Sequence, residues 1–400
     1  MKVIILFSES LHYGLAAASR VMAYAKGLQE SGAEVEIVMP YTFVKKNITP
    51  FEQDGQFNGV NYKYLSFTNY NPFEKYPKGI SHAIAISKTY LSYILYFIYF
   101  LTNKSNYQVL FIYKFSSFLT YLFLKFNANK VKVSELCEIP YHDQFGEKKL
   151  KNRRIREKYV FPLFDSFVAI SENLRIYITE KTGNKAAIIK VPILYQPAQP
   201  FITKTIPPIP FFIHSGSLSE SKDGIVCMLA AFGKAKNELN IPFHFNITGY
   251  LENSPDKNNI LAVIEKYRIQ DSVFFKGFVS KAELLSLQLG ASLAIINKAD
   301  NEMNHYNFPT KLSEYLTNQI AVIASEVGEL KNYLTNNENV YFYKPNDMDG
   351  LVNCIKDAMT NIQKREQIAI NGRKLAEESF SHTIQGKRLN IFFENLITKK

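Results

Sequence analysis

Three kinds of residue in this chain could act together: lysines beside glycine or proline turns, glutamates one helical turn further on, and polar residues at loop ends. The densest instance is HYNFPTKLSEYLTNQIAVIAS, residues 305–325. Its pattern predicts a loop through Pro309, a short helix carrying Glu314 and a buried strand from Ile320 to Ala324. Proline fits a helix's first turn, where its missing N–H costs nothing. Leu312, Tyr315 and Leu316 fall on one apolar face at helical spacing. A helix start offers unpaired N–H groups and a positive dipole end, which suits a diphosphate. Glu314, one turn after Thr310 and Lys311, points back toward that start and could accept hydrogen bonds from a ribose. This is a nucleotide-diphosphate site in outline, although a loop, helix and strand with one glutamate occur in any α/β domain.

Two other stretches carry similar chemistry. GSLSESKDGI follows the expected strand Phe211–His214 and joins Gly216 and Ser217 to Lys222, a point charge able to neutralise phosphate. SELCEIPY, residues 134–141, sets Glu135 and Glu138 at or near a strand's carboxyl end, where open α/β sheets place ligands. Other chemistries lack their signatures. G-x-G-x-x-G is missing, which argues against a dinucleotide enzyme. Neither a P-loop nor G-x-S-x-G occurs. Asp347-Met348-Asp349 spells D-x-D, but it precedes an amphipathic stretch, where an N-cap is expected rather than a metal ligand. The seven histidines form no metal-binding spacing, and the three cysteines are far apart, so no metal site is expected and a reducing cytoplasm fits best.

The elements that must position these residues alternate between strands and helices. KVIILF at 2–7 reads as a buried first strand rather than a signal peptide. A loop with the lone Gly14 leads into a helix stopped by Gly32, and Glu34–Met39 returns as a strand, a Rossmann-type opening. Strands are expected at 59–67, 109–113, 131–136 and 167–170. Between them lie aromatic-rich helices at 84–101 and 118–126, more apt to face a core than a membrane. Ser171 is a plausible N-cap for the helix that follows. The stretch 195–210 holds five prolines and marks a linker. Beyond it, strands at 211–214, 243–248, 273–276 and 293–296 suggest a second doubly wound sheet. The division expected is therefore 1–196, 197–382 and a terminal helix within 383–400.

Charge is uneven between the halves. Residues 1–200 carry 25 Lys/Arg against 15 Asp/Glu, and residues 201–400 carry 22 against 21. Much of the excess lies in KKLKNRRIREK, where Lys148, Lys149, Lys151, Arg153, Arg154, Arg156 and Lys158 accompany a single acid. Such a helix either lies against anionic lipid or is simply a solvated face. No nucleic-acid motif accompanies it. The longest apolar run, Tyr90–Leu101, is too short to span a bilayer.

FPTKLSEYL followed by AVIAS resembles the donor-site segment of the retaining GT-B glycosyltransferases of family 4, also called glycosyltransferase group 1. The resemblance extends, more loosely, over nearly the whole chain. It implies an α/β GT-B fold of two Rossmann-like domains around a central cleft, the first binding acceptor and the second a UDP- or GDP-linked sugar, with no cofactor. It further implies that His12, Tyr13, Glu135 and Glu138 meet the acceptor. Gly14, Gly216, Ser217, Lys222, Gly277, Phe278, Val279, Tyr306, Asn307, Phe308, Pro309, Thr310, Lys311 and Glu314 would form the donor site. Glu138, Lys222 and Glu314 would carry the reaction. Two departures matter: the family's first glutamate is Tyr306 here, and the arginine after its glycine is Ser217. The acceptor habit of the family suggests a lipid-linked or envelope glycan, and hence a place at the inner face of the membrane. A nucleotide-sugar epimerase, or a non-catalytic partner of a polysaccharide assembly, are the alternatives.

Overall fold

The computed structural model describes residues 1–9, 11, 16–39, 54–65, 84, 87, 91, 94–95, 97–102, 106–113, 117–140, 147–196, 204–239 and 241–400. It separates into two units. Met1–Leu194 with His382–Lys400 form the first, and Tyr195–Ser381 the second.

The first unit is built on β1 (Lys2–Phe7), β2 (Glu34–Met39), β3 (Asp54–Phe57), β4 (Val60–Tyr64), β5 (Val109–Tyr113), β6 (Val131–Leu136), β7 (Ser166–Ala169) and β8 (Ala187–Lys190). Their order across the sheet is β3-β4-β2-β1-β5-β6-β7-β8. All neighbours are parallel except β3 and β4. β1 pairs on both sides, Val3 with Val35 and with Val109, and its last five residues are buried. A strand covered on both faces needs this continuous apolar run.

The expected strand at 59–67 proves to be the second arm of a hairpin. Asn58 and Gly59 both take positive φ, 50° and 78°, and Phe57 pairs with Val60. A two-residue turn of this kind requires positive φ at both positions. β3 and β8 are two strands the hydrophobic pattern does not predict.

The terminal helix His382–Thr398 belongs to the first unit, packed on Ala16–Glu30. The two helices touch at glycines. A Cβ on Gly27 would lie 2.1 Å from the His382 carbonyl oxygen, and one on Gly386 2.2 Å from the Gly27 carbonyl carbon. His382 Nε2 and the Thr383 hydroxyl both reach the Glu30 carboxylate, at 3.0 and 2.6 Å.

The second unit has six strands: β9 (Phe211–Ser215), β10 (His244–Thr248), β11 (Val273–Phe275), β12 (Leu293–Ile296), β13 (Ala321–Ser325) and β14 (Tyr341–Tyr343). The order is β11-β10-β9-β12-β13-β14, parallel throughout. Sequence order thus runs outward from β9 in one direction and then restarts at β12 in the other. That reversal opens a crevice at the carboxyl ends of β9 and β12, where doubly wound sheets bind nucleotides. The core includes Phe212, Phe232, Phe243 and Phe245, whose rings pack edge-on or stacked between 5.2 and 6.0 Å.

Among the described residues, no helix is long and apolar enough to cross a membrane.

Candidate donor site at the sheet reversal

The loop after β9 is shaped by close approach. A Cβ on Gly216 would sit 2.7 Å from Asp223 Oδ2 and 3.0 Å from the His214 ring, so only glycine fits. The Ser217 backbone N–H donates to Asp223 Oδ2 at 2.6 Å. The turn then enters a short helix, Glu220–Asp223, ended by Gly224 at φ 60°. Asn297, just past β12, donates to the Gly224 carbonyl at 2.9 Å and leaves no room for a side chain there.

Lys298 closes this loop from across the reversal. Its ammonium donates to Asp223 Oδ1 and, at 3.1 Å, to the Lys222 carbonyl. Burial opposes a charge on Asp223, but Lys298 and His214 outweigh it, and its pKa falls below the ordinary carboxylate value. Burial lowers the pKa of His214, whose ring is 4.0 Å from Asp223. Lys222 itself is exposed.

The segment 302–317 contributes two short helices. Asn301 caps Glu302–Tyr306, its side chain accepting from the Asn304 N–H at 2.9 Å. Tyr306 thus ends a helix rather than lying in a loop. The next helix, Lys311–Thr317, starts after Thr310, and the Leu312 N–H reaches back to the Pro309 carbonyl at 3.1 Å. Pro309 therefore precedes the helix instead of occupying its first turn. Lys311 Nζ binds both oxygens of Glu314, at 3.0 and 2.9 Å. Gln288 donates to the same carboxylate at 3.2 Å and accepts from Asn318 at 2.7 Å. Glu314 is half-buried and held toward the helix start. Tyr315 ties this helix to β9, its buried phenol oxygen accepting from the Ser215 N–H at 2.9 Å. Phe308 is buried against Tyr333 and Phe380, while Asn307 Oδ1 is buried without a hydrogen-bond partner among the described residues.

On the other side, β10 and β11 end in Gly249-Tyr250 and Gly277-Phe278-Val279. The Gly249 N–H donates to the Gly277 carbonyl at 2.7 Å, joining the two ends. Phe278 is exposed and Val279 half-buried.

In the first unit, His12, Tyr13 and Gly14 lie outside the described residues. Glu138 is exposed just beyond β6. Glu135 is different. Its carboxylate accepts from Arg20 Nε at 2.5 Å and from Tyr24 at 3.1 Å, and Arg20 also holds the carbonyls of Val191 and Pro192. Both members of the ion pair are 4% exposed. Pointing inward, Glu135 locks the first helix to β6, a structural post where acceptor contact was expected. Within the basic stretch, Arg153 is also committed, to Glu157 at 3.0 Å and to the face of Tyr177.

The Asp347 side chain caps the helix Met348–Thr360, accepting from the Gly350 N–H at 2.8 Å, and Asp349 pairs with Lys234 at 2.6 Å. Among the described residues, no cluster of His, Cys, Asp or Glu could hold a metal ion.

Residues 198–375 match the model of the family described as glycosyl transferases group 1. The second unit is similar to that family over most of its length. Solved structures extend the likeness to the whole chain. Sucrose-phosphate synthase from Thermosynechococcus elongatus superposes with a TM-score of 0.72 at 14% identity, covering 100% of both chains. A glycosyltransferase from Rickettsia africae reaches 0.70 at 14% identity, covering 100% of this chain and 99% of the other. Anabaena HepE, solved in complex with UDP-glucose, reaches 0.66 at 14% identity over 100% of both chains. Among curated protein sequences none is significantly similar to this chain. The fold is GT-B, with two doubly wound α/β units.

Asp223, Lys298 and Tyr315 carry much of the site's geometry; Asp223 and Tyr315 lie within the stretches quoted above with no chemistry assigned to them there, and Lys298 lies in neither. Asp223 is adjacent to Lys222, but nothing in the sequence announces that it turns inward. Lys298 is an isolated lysine after a strand.

Proposed function

We propose that this chain transfers a sugar from a nucleotide-diphosphate sugar to a glycan or glycolipid acceptor, with retention of configuration. The observation carrying this reading is the convergence of the 216–223 loop, Lys298 and the Lys311–Thr317 helix at the sheet reversal of a unit that matches the group 1 glycosyl transferase model. Lys222, exposed beside the loop, neutralises charge developing on the leaving diphosphate. Lys311 leaves Glu314 for the phosphate, and Glu314 accepts from the ribose. In a front-side displacement the bond from the anomeric carbon to the diphosphate oxygen breaks. The acceptor oxygen bonds on the same face, and the departing phosphate takes its proton. Glu138 orients the acceptor hydroxyl. No cofactor is needed.

An acceptor in the membrane is favoured by a surface of the first unit. Ile155 and Tyr159 are exposed among Lys151, Arg154 and Lys158, all at helical spacing. Ile84, Leu91, Ile94, Ile98 and Leu101 are also exposed at such spacing, and Phe97 meets exposed Phe126 beside them. Apolar residues interleaved with lysines and arginines suit an anionic lipid surface. The chain would then work at the inner face of the cell membrane.

The deciding experiment is a thermal-shift panel with UDP, GDP, ADP and CMP and their common sugars. A ligand at one hundred times its dissociation constant adds about 2.7 kcal/mol of stability. A shift with one nucleoside diphosphate, followed by turnover with acceptor, is the expected result. Binding without turnover would mark a non-catalytic partner, for which Tyr306 and Ser217 in place of the family's charged residues give grounds. No shift with any nucleotide would overturn the donor-site reading.

A further inference from the structure

Gln288 belongs to none of the stretches that carry the donor site, yet among the described residues it is one of two that hold the Glu314 carboxylate. It lies near the end of the helix Lys281–Gly290, whose start is fixed by a capping box between Ser280 and Glu283. Gln288 is 3% exposed. A buried primary amide must satisfy both its oxygen and its nitrogen. Asn318 Nδ2 donates to Gln288 Oε1 at 2.7 Å, and Gln288 Nε2 donates to Glu314 Oε2 at 3.2 Å. Asn318 is set in turn by the backbone, since it ends the Glu314 helix and its N–H donates to the Glu314 carbonyl at 3.1 Å. The polar chain therefore leaves that helix at its end, passes through Gln288 and returns to the helix at Glu314. Its polarity is fixed: with its oxygen turned to Asn318, Gln288 has only its nitrogen for the carboxylate.

The two oxygens of Glu314 are not equivalent. Lys311 donates to Oε1 at 3.0 Å and to Oε2 at 2.9 Å, whereas Gln288 reaches Oε2 alone. The lysine contact is a partly exposed pair three residues apart on one helix, a kind that contributes little stability. Once Lys311 turns to a diphosphate, Oε2 keeps its amide partner. Oε1 then loses its only partner among the described residues.

We infer that Gln288 is a positioning residue for donor recognition, holding Glu314 by Oε2 so that Oε1 is the oxygen presented to the ribose. The proposal rests on the donor-site reading and adds to it a residue and a division of labour between the two carboxylate oxygens. A carboxylate fixed at one oxygen offers the other in one direction, and it favours the sugar whose hydroxyl lies there. A carboxylate free to rotate loses that preference, because part of the binding energy goes into ordering it.

The test is titration calorimetry on the full chain with UDP and GDP, each also in its 2′-deoxy and 3′-deoxy form. The parent chain should prefer the ribonucleotide over one deoxy form by at least about tenfold, the loss expected for one hydrogen bond to a charged group. Gln288→Leu should narrow that ratio to about threefold or less, while its affinity for inorganic pyrophosphate, which has the charge but no ribose, is unchanged. A ratio taken within one variant cancels any general loosening of the site, which weakens every nucleotide alike. Asn318→Asp repeats the test without removing Gln288. Its carboxylate accepts where Asn318 donated, which reverses the Gln288 amide and turns an oxygen toward Glu314, so the preference should again collapse. This second variant decides the matter if Gln288→Leu fails to fold. An unchanged ratio in either folded variant would overturn the proposal and leave the donor site standing. Equal weakening of nucleotide and pyrophosphate in Gln288→Leu would also overturn it, since the residue would then support the whole site. A parent chain that binds UDP or GDP without regard to either hydroxyl removes the ribose role of Glu314 together with this one. If the parent binds neither nucleotide, the donor-site reading itself fails.

Discussion

Asp223 turns its carboxylate under the loop it belongs to and accepts the Ser217 N–H at 2.6 Å, while its other oxygen is held by Lys298. One side chain thereby fixes the turn after β9 to the strand end across the sheet reversal. Lys298 loses a structural partner if Asp223 is neutralised, and Asp223 is left as a buried, unpaired charge if Lys298 is removed. The second loss is the more costly, because an uncompensated charge pays its full desolvation. Lys298→Met should lower unfolding free energy by about 2–3 kcal/mol, somewhat under the cost for a wholly buried pair. Adding Asp223→Asn should recover part of it. Urea denaturation of the two single variants and the double variant gives the coupling; strictly additive losses would mean the pair does not hold the loop.

The same carboxylate sets a pH dependence. Its folded pKa lies below the unfolded value because Lys298 and His214 stabilise the anion against the cost of burial. The unfolded chain therefore binds more protons in acid, and the stabilisation is fully present above about pH 4. It is lost as pH falls through the folded value. The stability gap between the parent chain and Asp223→Asn should be constant from neutrality down to about pH 5 and narrow below about pH 4. A gap that stays constant in acid would show that Asp223 titrates as it does in the unfolded chain.

Much of the scaffold was legible because buried parallel strands announce themselves. β1, β5 and β12 are nearly continuous apolar runs, β2 and β6 mix apolar residues with polar ones, and each lies at the residues the pattern predicts. β3 and β8 escaped for a physical reason: DGQF alternates between exposed and half-buried, and AIIK is nowhere fully buried, so neither shows a core-facing period. The Asn58-Gly59 turn was a readable hairpin signal that would have recovered β3. The site divides similarly. Lys222, Glu314 and the glycine turns occupy recognisable spacings, whereas Lys298 and Asp223 acquire meaning only from what the sheet places beside them. Glu135 shows the reverse error, since a strand-end glutamate next to a cleft-forming edge and one tied inward to Arg20 look alike in sequence.

The glycine contact between helices gives a test of how the chain's end is anchored. Gly27→Ala would put a methyl within 2.1 Å of the His382 carbonyl oxygen, which a flexible side chain cannot relieve. The helices must separate, at a cost of about 1–3 kcal/mol typical of overpacking. Denaturant unfolding should show that loss, and Gly32→Ala, where no atom lies within 4 Å but φ is 89°, separates steric from backbone strain. Equal stability of Gly27→Ala and the parent chain would place the terminal helix elsewhere in solution.

Membrane attachment through the first unit can be read without activity. Lys151, Arg154 and Lys158 are exposed on one face, whereas Arg153 is engaged by Glu157 and Tyr177. Charge reversal of the first three should therefore release the chain from anionic vesicles in co-sedimentation, each exposed cation being worth about 1 kcal/mol near the surface. Arg153→Glu should instead destabilise the fold with little specific effect on binding. Equal release by Arg153→Glu and Arg154→Glu, at unchanged stability, would show that the whole basic stretch faces the lipid.

The division of labour between Lys222 and Glu314 is the sharpest test of the chemistry. Glu314 is half-buried and already held by Lys311 and Gln288, so it is poised to accept from a neutral sugar hydroxyl in the ground state. Its removal takes away binding that substrate and transition state share, and KM should rise with kcat nearly unchanged. One hydrogen bond to a charged group is worth about 1.5–3 kcal/mol, so Glu314→Ala should raise KM for the donor at least about tenfold. Lys222 meets charge that grows only as the diphosphate leaves. Lys222→Ala should lower kcat by about a hundredfold or more while donor binding falls much less. Steady-state kinetics with the donor identified by thermal shift would measure both. Small and equal effects on KM and kcat for the two variants would sink the assignment and move the phosphate contact to Lys298 or Lys311.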